Sequence, residues 1–227
     1  MTAELGERIR AARTAQGLSL RATAAQAAIS PSLLSQVETG KVQPSVSTLY
    51  AIVSCLGLSV DDVLGHHPPT AAPPAVRGRP HPVQPLEDAP EIVMQNGVTW
   101  RSLAVTGDEG VDAVRATYQP GAASSIDETH MRHVGVEHGY IVRGELTLKL
   151  EFDTFVLRAG DSLCFDAQRP HYYVNHTDEV AEGVWYILGA TRSDTAVAPA
   201  DIRSAVDVLD AMGRLHGRAA DDDRGTR

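Results

Sequence analysis

The sequence predicts an α + β multidomain chain: a bundle of five short helices, a proline-rich linker, and then a small antiparallel β-barrel. Three observations carry this prediction. Apolar residues recur at helical spacing up to residue 64, and beyond residue 84 they fall into short runs rich in β-branched residues. Between these regions, HHPPTAAPPAVRGRPHPV (66–83) is dense in proline and has no apolar period, which marks a semi-extended linker. The charge is also divided. Residues 1–65 carry five basic and five acidic side chains, whereas residues 84–190 carry seven and seventeen. The net charge of −9 therefore belongs to the second part and does not argue against nucleic-acid binding by the first.

With 227 residues and 43% hydrophobic content, the chain can bury two modest cores. The expected division is 1–65 (helical), 66–83 (linker), 84–198 (barrel) and 199–227 (a terminal helix and tail). No window approaches the roughly 18 to 20 apolar residues of a membrane span. The best one, LYAIVSCLGLSV, is broken by Ser54 and Gly57. The start, MTAELGERIRAAR, is charged and periodic, without the apolar core of a secretory signal. A cytoplasmic protein with no membrane partner is expected, with Cys55 and Cys164 as buried, reduced thiols.

The helical stripes are Leu5, Ile9 and Ala12; Leu20, Ala24 and Ala27; Leu34 and Val37; Val46, Leu49, Ile52, Val53 and Leu56; and Val60, Val63 and Leu64. Ser19 is a plausible N-cap, and Ser30-Pro31 pairs a cap with proline at the first helical position, where its missing N–H costs nothing. Two short helices thus meet at a tight turn, Ala28-Ile29. The second, residues 31–39, keeps Leu34 and Val37 for the core and presents Ser32, Leu33, Ser35, Gln36 and Thr39 outward. Small neutral side chains of this kind suit base edges in a major groove. Gly40-Lys41 offers backbone amides and one cation to a phosphate.

Residues 5–65, and SPSLLSQVETGKVQPSVSTL above all, resemble the Cro/cI-type (XRE) helix-turn-helix domain. The resemblance implies that the candidate DNA-binding set is Arg21, Ser30, Ser32, Leu33, Ser35, Gln36, Thr39 and Lys41. Ser32 and Gln36 would face bases, and Arg21 and Lys41 phosphates. It also implies an internal ion pair between Arg13 and Glu38. Ala28 departs from the family, which usually has glycine in this turn; a positive φ there would strain alanine. The balanced charge implies few phosphate contacts per protomer, so affinity should come from a homodimer on a palindromic site in double-stranded DNA.

After the linker come VTWRSLAV, VDAVRATY, GYIVRGELTLKL, TFVLRAG, SLCFDA, HYYVNH and GVWYILGA, the signature of a barrel or sandwich. PADIRSAVDVLDAMGRL (199–215) has helical amphipathicity, with Ile202, Val206, Leu209 and Met212 on one stripe, and HGRAADDDRGTR is a charged tail. Residues 118–146, followed by GDSLCFDAQRPHYYVN (160–175), resemble the two motifs of the cupin family, a double-stranded β-barrel. His133, Glu137 and Gly144 keep the intervals of the first motif, with Met131 where its first histidine belongs and His130 one residue off register. Gly160, Asp161, Pro170, His171 and Asn175 keep the second.

His133, Glu137 and His171 would supply two imidazoles and one carboxylate on neighbouring strands, a set suited to one divalent ion, Fe, Zn or Mn. His133 and Glu137 are an even number apart, so both can point inward along a strand. A bulge could add His130 as a fourth ligand. The alternative is that these side chains are barrel wall, since many regulators of this architecture bind no metal. Arg115, Tyr118, Tyr140 and Tyr173 are candidate walls of an organic-ligand pocket, with Trp100, Tyr172 and Trp185 beside them; His138, of opposite parity to Glu137, is a surface or interface residue.

The function that follows is a transcriptional regulator whose cupin domain senses a small-molecule effector, through a metal or without one. The linker favours reorientation of the two domains as the switch. Two other readings remain: a mononuclear non-haem iron oxygenase resembling hydroxypropylphosphonate epoxidase, and a repressor for which the ion itself is the signal. The intact DNA-reading surface favours the regulator.

Overall fold

The computed structural model describes residues 2–64, 83–105 and 110–189. Nearly all of the linker, the end of the barrel segment and the helix expected over 199–215 lie outside them.

Among the described residues the N-terminal part holds four helices of seven residues or more, α1 (Thr2–Ala15), α2 (Leu20–Gln26), α3 (Pro31–Glu38) and α4 (Val46–Leu56), and a short fifth, α5 (Val60–Leu64). Four of them begin on serine, Ser59 before α5 accepting from the Asp62 N–H. The hydroxyls of Ser19, Ser30 and Ser45 accept from the backbone N–H groups of Ala22, Leu33 and Thr48, satisfying donors that the first turn of a helix leaves free. Leu5, Ile9, Ala24, Leu34, Val37, Leu49, Ile52, Val53 and Val60 form the core, as their spacing predicts. Gly6 lets α1 cross α3 closely, because a Cβ there would lie 2.4 Å from the Val37 carbonyl oxygen. Where the chain passes from α2 to α3, Ala28 adopts φ 53. This left-handed conformation costs an L-residue about 1 to 2 kcal/mol that glycine avoids. Ala28→Gly is therefore expected to raise stability by about 1 kcal/mol, less the entropy glycine adds to the unfolded chain. A urea midpoint that falls in the variant would contradict this account.

The β part is antiparallel throughout. One sheet has six strands, β1 (Glu91–Val93), β2 (Val98–Ser102), β3 (Val111–Tyr118), β9 (Ala181–Leu188), β4 (Val136–Arg143) and β7 (Ser162–Asp166), in that spatial order. The other has three, β6 (Asp153–Arg158), β5 (Glu145–Leu150) and β8 (His171–Val174). Aromatic contacts join them: the Tyr173 ring of β8 lies 5.5 Å from that of Trp185 on β9 and 6.4 Å from that of Tyr118 on β3. The motif residues at the turns have local tasks. Gly144, at φ 75, allows the β4–β5 turn to pass against Val180, whose carbonyl oxygen would sit 2.5 Å from an added Cβ. Asp161 accepts from the Arg158 N–H at 2.7 Å. The Asn175 amide donates to the carbonyls of Tyr118, Gln119 and Glu179 and ties the strand ends together.

The helical and β parts share one continuous core. The Ser47 N–H donates to the Ser124 carbonyl (3.0 Å), the Gln95 N–H to the Pro44 carbonyl (3.0 Å), and the Val60 N–H to Asp112 Oδ2 (3.2 Å). This docking differs from the loosely tethered domains that the linker suggests. Linker composition sets chain stiffness, whereas docking is set by apolar residues on α4, Val46 and Tyr50, which the β part covers. No described helix is long and apolar enough to cross a membrane.

Candidate DNA-reading surface and metal centre

Helix α3 leaves Ser32 and Gln36 exposed, with Leu33 and Ser35 half-buried beside them. Leu33 packs partly against the core. Arg21 on α2 and Lys41 after α3 are exposed. Two expected contributors are committed elsewhere. The Ser30 hydroxyl is the helix cap, and the Thr39 hydroxyl donates back to the Ser35 carbonyl at 2.8 Å. The Gly40 and Lys41 N–H groups are likewise spent on the Val37 and Gln36 carbonyls, so this turn presents the Lys41 cation but not the backbone amides expected of it. Beneath the helix, Arg13 grips Glu38 in a bidentate pair of 2.6 and 2.8 Å and donates to the Leu18 carbonyl at 2.9 Å. Both side chains are buried, and the hydrogen bond to Glu38 raises the Arg13 pKa further.

The second site lies where the two sheets meet. Glu137 comes from β4 in the larger sheet and His171 from the start of β8 in the smaller, so the triad spans both sheets rather than neighbouring strands. His133 precedes β4. It is placed by its N–H to the Ala167 carbonyl (3.0 Å) and by the Gly135 bend (φ 114), so strand parity orients Glu137 but not His133. One ligand atom from each of the three residues falls within 4.8 Å of the others, and all three residues are buried. His133 Nε2 lies 3.2 Å and His171 Nε2 3.3 Å from Glu137 Oε2. Both are buried, and neither is aligned for a hydrogen bond, so the carboxylate is their only near partner among the described residues. His171 Nδ1 is held by the Arg169 carbonyl at 2.8 Å, which turns Nε2 into the site.

Glu137 Oε1 accepts from the Tyr173 hydroxyl, which accepts in turn from Trp185 Nε1 (3.2 Å). Burial opposes the carboxylate, but the contacts and charge of the two histidines outweigh it and hold Glu137 well below the usual carboxylate range. Burial, and then the charge of Glu137, push the phenols of Tyr50, Tyr118 and Tyr173 well above theirs. An ionised carboxylate with two buried imidazole nitrogens converging on it is a donor set that could hold a divalent cation.

Of the expected pocket residues, Tyr118 and Tyr173 are buried and line the space beside Glu137, together with Trp100, Met131, Trp185 and Ile187. Arg115 and Tyr140 do not. Arg115 faces outward and pairs with Glu182, which also holds Arg143 at 3.0 Å. Tyr140 is 51% exposed on the outer face of β4, three residues from Glu137 and therefore on the opposite side of the pleat. His130 is exposed and meets the Tyr172 ring edge-on at 5.0 Å, away from the triad, so the bulge that would bring it in as a fourth ligand does not form. Cys164 is exposed and Cys55 half-buried, against the expectation of two buried thiols. His138 shares the outer face of β4 with Tyr140, 3.8 Å from Cys164 Sγ.

The sequence reasoning missed Tyr50. It lies on α4 but stacks flat on the His133 ring, with centroids 4.0 Å apart and planes 6° apart, and meets Trp100 edge-on at 5.6 Å. The available signal was a tyrosine one turn after Val46 on a helix whose remaining apolar positions already filled a core.

Comparison with known proteins finds two domain families in the chain. Residues 4–64 match the model of a helix-turn-helix domain and residues 114–187 that of a cupin domain. The HTH-type transcriptional regulator PuuR of Escherichia coli (strain K12) is 28% identical over 186 residues, 82% of this chain and 92% of that protein. An HTH_3 family transcriptional regulator from Vibrio cholerae shares the fold, with a TM-score of 0.61 and 20% identity over 82% of this chain and 96% of that one. Hydroxypropylphosphonic acid epoxidase from S. wedmorenis superposes with a TM-score of 0.44 and 17% identity over 82% of this chain and 98% of that one, a likeness too low to speak for shared chemistry. The molecule thus joins a DNA-reading helical domain to a cupin domain. Its two domain matches, and its likeness to PuuR along 82% of the chain, are those of a helix-turn-helix transcriptional regulator with a cupin domain.

Proposed function

We propose that this protein is a cytoplasmic, sequence-specific transcriptional regulator that binds a palindromic operator as a homodimer and responds to a small molecule or metal held in its cupin domain. The observation that carries the proposal is the exposed, uncharged polar face of α3, with Ser32 and Gln36 outward and Arg21 and Lys41 flanking it. Base edges demand donors and acceptors at such positions, and an enzyme has no use for them. Five basic residues in the whole helical segment supply few phosphate contacts, which supports paired protomers on two half-sites. On the outer face of β4 and β9, Val136, Tyr140, Val142, Tyr186 and Leu188 are exposed, which makes this face a candidate for the protomer contact.

Within the cupin domain, His133, Glu137 and His171 would hold one divalent ion, Fe, Zn or Mn. Bound there, the ion would supply a Lewis-acidic anchor for an oxygen or nitrogen donor of the effector. The chain's own residues fix its geometry: Arg169 orients His171, and Tyr173 holds the Glu137 carboxylate.

The test begins with operator sequences selected from random DNA. Gln36→Ala is expected to weaken binding to the selected site by about 1 to 3 kcal/mol while leaving binding to random DNA unchanged, because a lost base contact costs specificity alone. Equal losses on both DNAs would remove Gln36 from the base-reading set. The same two-histidine, one-carboxylate set supports a second reading, a mononuclear iron oxygenase. Steady oxygen uptake by the Fe(II)-loaded protein with hydroxypropylphosphonate would establish it.

A further inference from the structure

The space beside the triad is almost closed. Trp100, Tyr118, Met131, Tyr173 and Trp185 wall it together with Tyr50, and only 10 Å³ of it is free. One of these rings comes from the helical domain. Tyr50 projects from α4, 6% exposed, and covers the face of His133 at 4.0 Å. Trp100 flanks it edge-on, and one turn before it the Ser47–Ser124 hydrogen bond fastens α4 to the β part, so the ring and its helix are held against the pocket together. Helix α4 packs against α2, the helix that in turn supports α3.

We propose that Tyr50 is a tethered occupant of the effector subsite, so that a ligand carrying a flat, ring-sized group stacks on His133 in its place and undocks α4, and with it the DNA-reading helices. Ligand in the pocket and Tyr50 in the pocket exclude each other. DNA that prefers one placement of the helical domain must, by reciprocity, change how readily the pocket opens. This inference rests on the regulator reading of the helical domain and does not require a bound metal.

The experiment needs neither the effector nor a metal. In the full-length protein with EDTA, the rate of carbethoxylation of His133 by diethylpyrocarbonate is followed by peptide mass spectrometry, with exposed His130 and His176 as internal standards. His133 in the wild type is expected to react slowly, in Tyr50→Ala about tenfold or more faster, and in Tyr50→Phe, which keeps the stacked ring, as in the wild type. Saturating selected operator is expected to change the wild-type His133 rate about fivefold or more, and not to change it in Tyr50→Ala. Should Tyr50→Ala fail to fold, a Ser47→Cys/Ser124→Cys disulfide in a Cys55→Ser/Cys164→Ser background replaces it. Oxidation should then slow His133 below the wild-type rate, and reduction should restore it.

A folded Tyr50→Ala protein with an unchanged His133 rate, or an oxidised staple without effect, would overturn the proposal. So would tight operator binding that leaves the wild-type rate unaltered. Failure of the regulator reading has a different appearance: no selected DNA binds at all, while the Tyr50 variants still report whether the ring closes the pocket.

Discussion

Glu38→Ala is expected to destabilise the helical domain by about 3 to 5 kcal/mol, because it leaves the Arg13 guanidinium buried without its counter-ion. The geometry sets this scale. Arg13 donates to both carboxylate oxygens, at 2.6 and 2.8 Å, and the side chains are 10% and 3% exposed. An exposed pair would be worth less than about 1 kcal/mol. Against a typical total of about 5 to 15 kcal/mol, the loss would leave the domain marginal at 37 °C. Arg13→Ala should cost as much, since it also removes the bond to the Leu18 carbonyl. The double variant Arg13→Met/Glu38→Met should recover most of the loss, because it buries no charge at all. Urea unfolding followed by circular dichroism measures all three. Single-variant losses below about 1 kcal/mol would mean that water reaches the pair and screens it. Glu38 ends α3, so DNA affinity should fall with stability in the single variants and return in the double.

The positions of the helices could be read in the sequence because their signals are local. Ser30-Pro31 marks a helix start through capping chemistry alone, and the structure begins α3 there. Each predicted β-run contains a strand, because alternation is also local. The short β1 pairs with β2 through three residues and has too little pattern to be seen. The triad was legible through motif spacing, but its construction was not. His133 reaches the site from the segment before β4 through Gly135, and His171 from the other sheet, neither of which residue parity encodes. Arg115 and Tyr140 failed as pocket residues for a related reason. Whether a strand residue points in or out depends on register, and register is set by the pairing partner: Arg115 sits opposite Val184, and Tyr140 opposite Val184 and Ser162. Tyr50 was invisible for the deepest reason. Its partner His133 is 83 residues away in another domain, and no periodicity within α4 reports what docks on it.

Glu137→Gln is expected to lower divalent-metal affinity by at least about 100-fold, the most that loss of an outer-sphere partner costs, because it removes a ligand itself. The substitution keeps the size of the side chain and an oxygen for the Tyr173 hydroxyl, but deletes the charge that two imidazoles cannot replace. Tyr173→Phe removes only the donor to Glu137 Oε1 and is expected to cost about 10- to 100-fold. The order matters more than either value, since a carboxylate that merely fills the wall would give two variants with the same metal content as the wild type. Metal analysis of untagged protein, and competition with a chelator of known affinity, would measure it. Glu137→Asp would separate charge from reach. It keeps the negative charge but withdraws it by one methylene, and since Glu137 Oε2 sits 3.2 and 3.3 Å from the two imidazole nitrogens, a shorter carboxylate cannot meet both. A metal affinity for Glu137→Asp close to that of Glu137→Gln would show that position, and not charge alone, defines the centre.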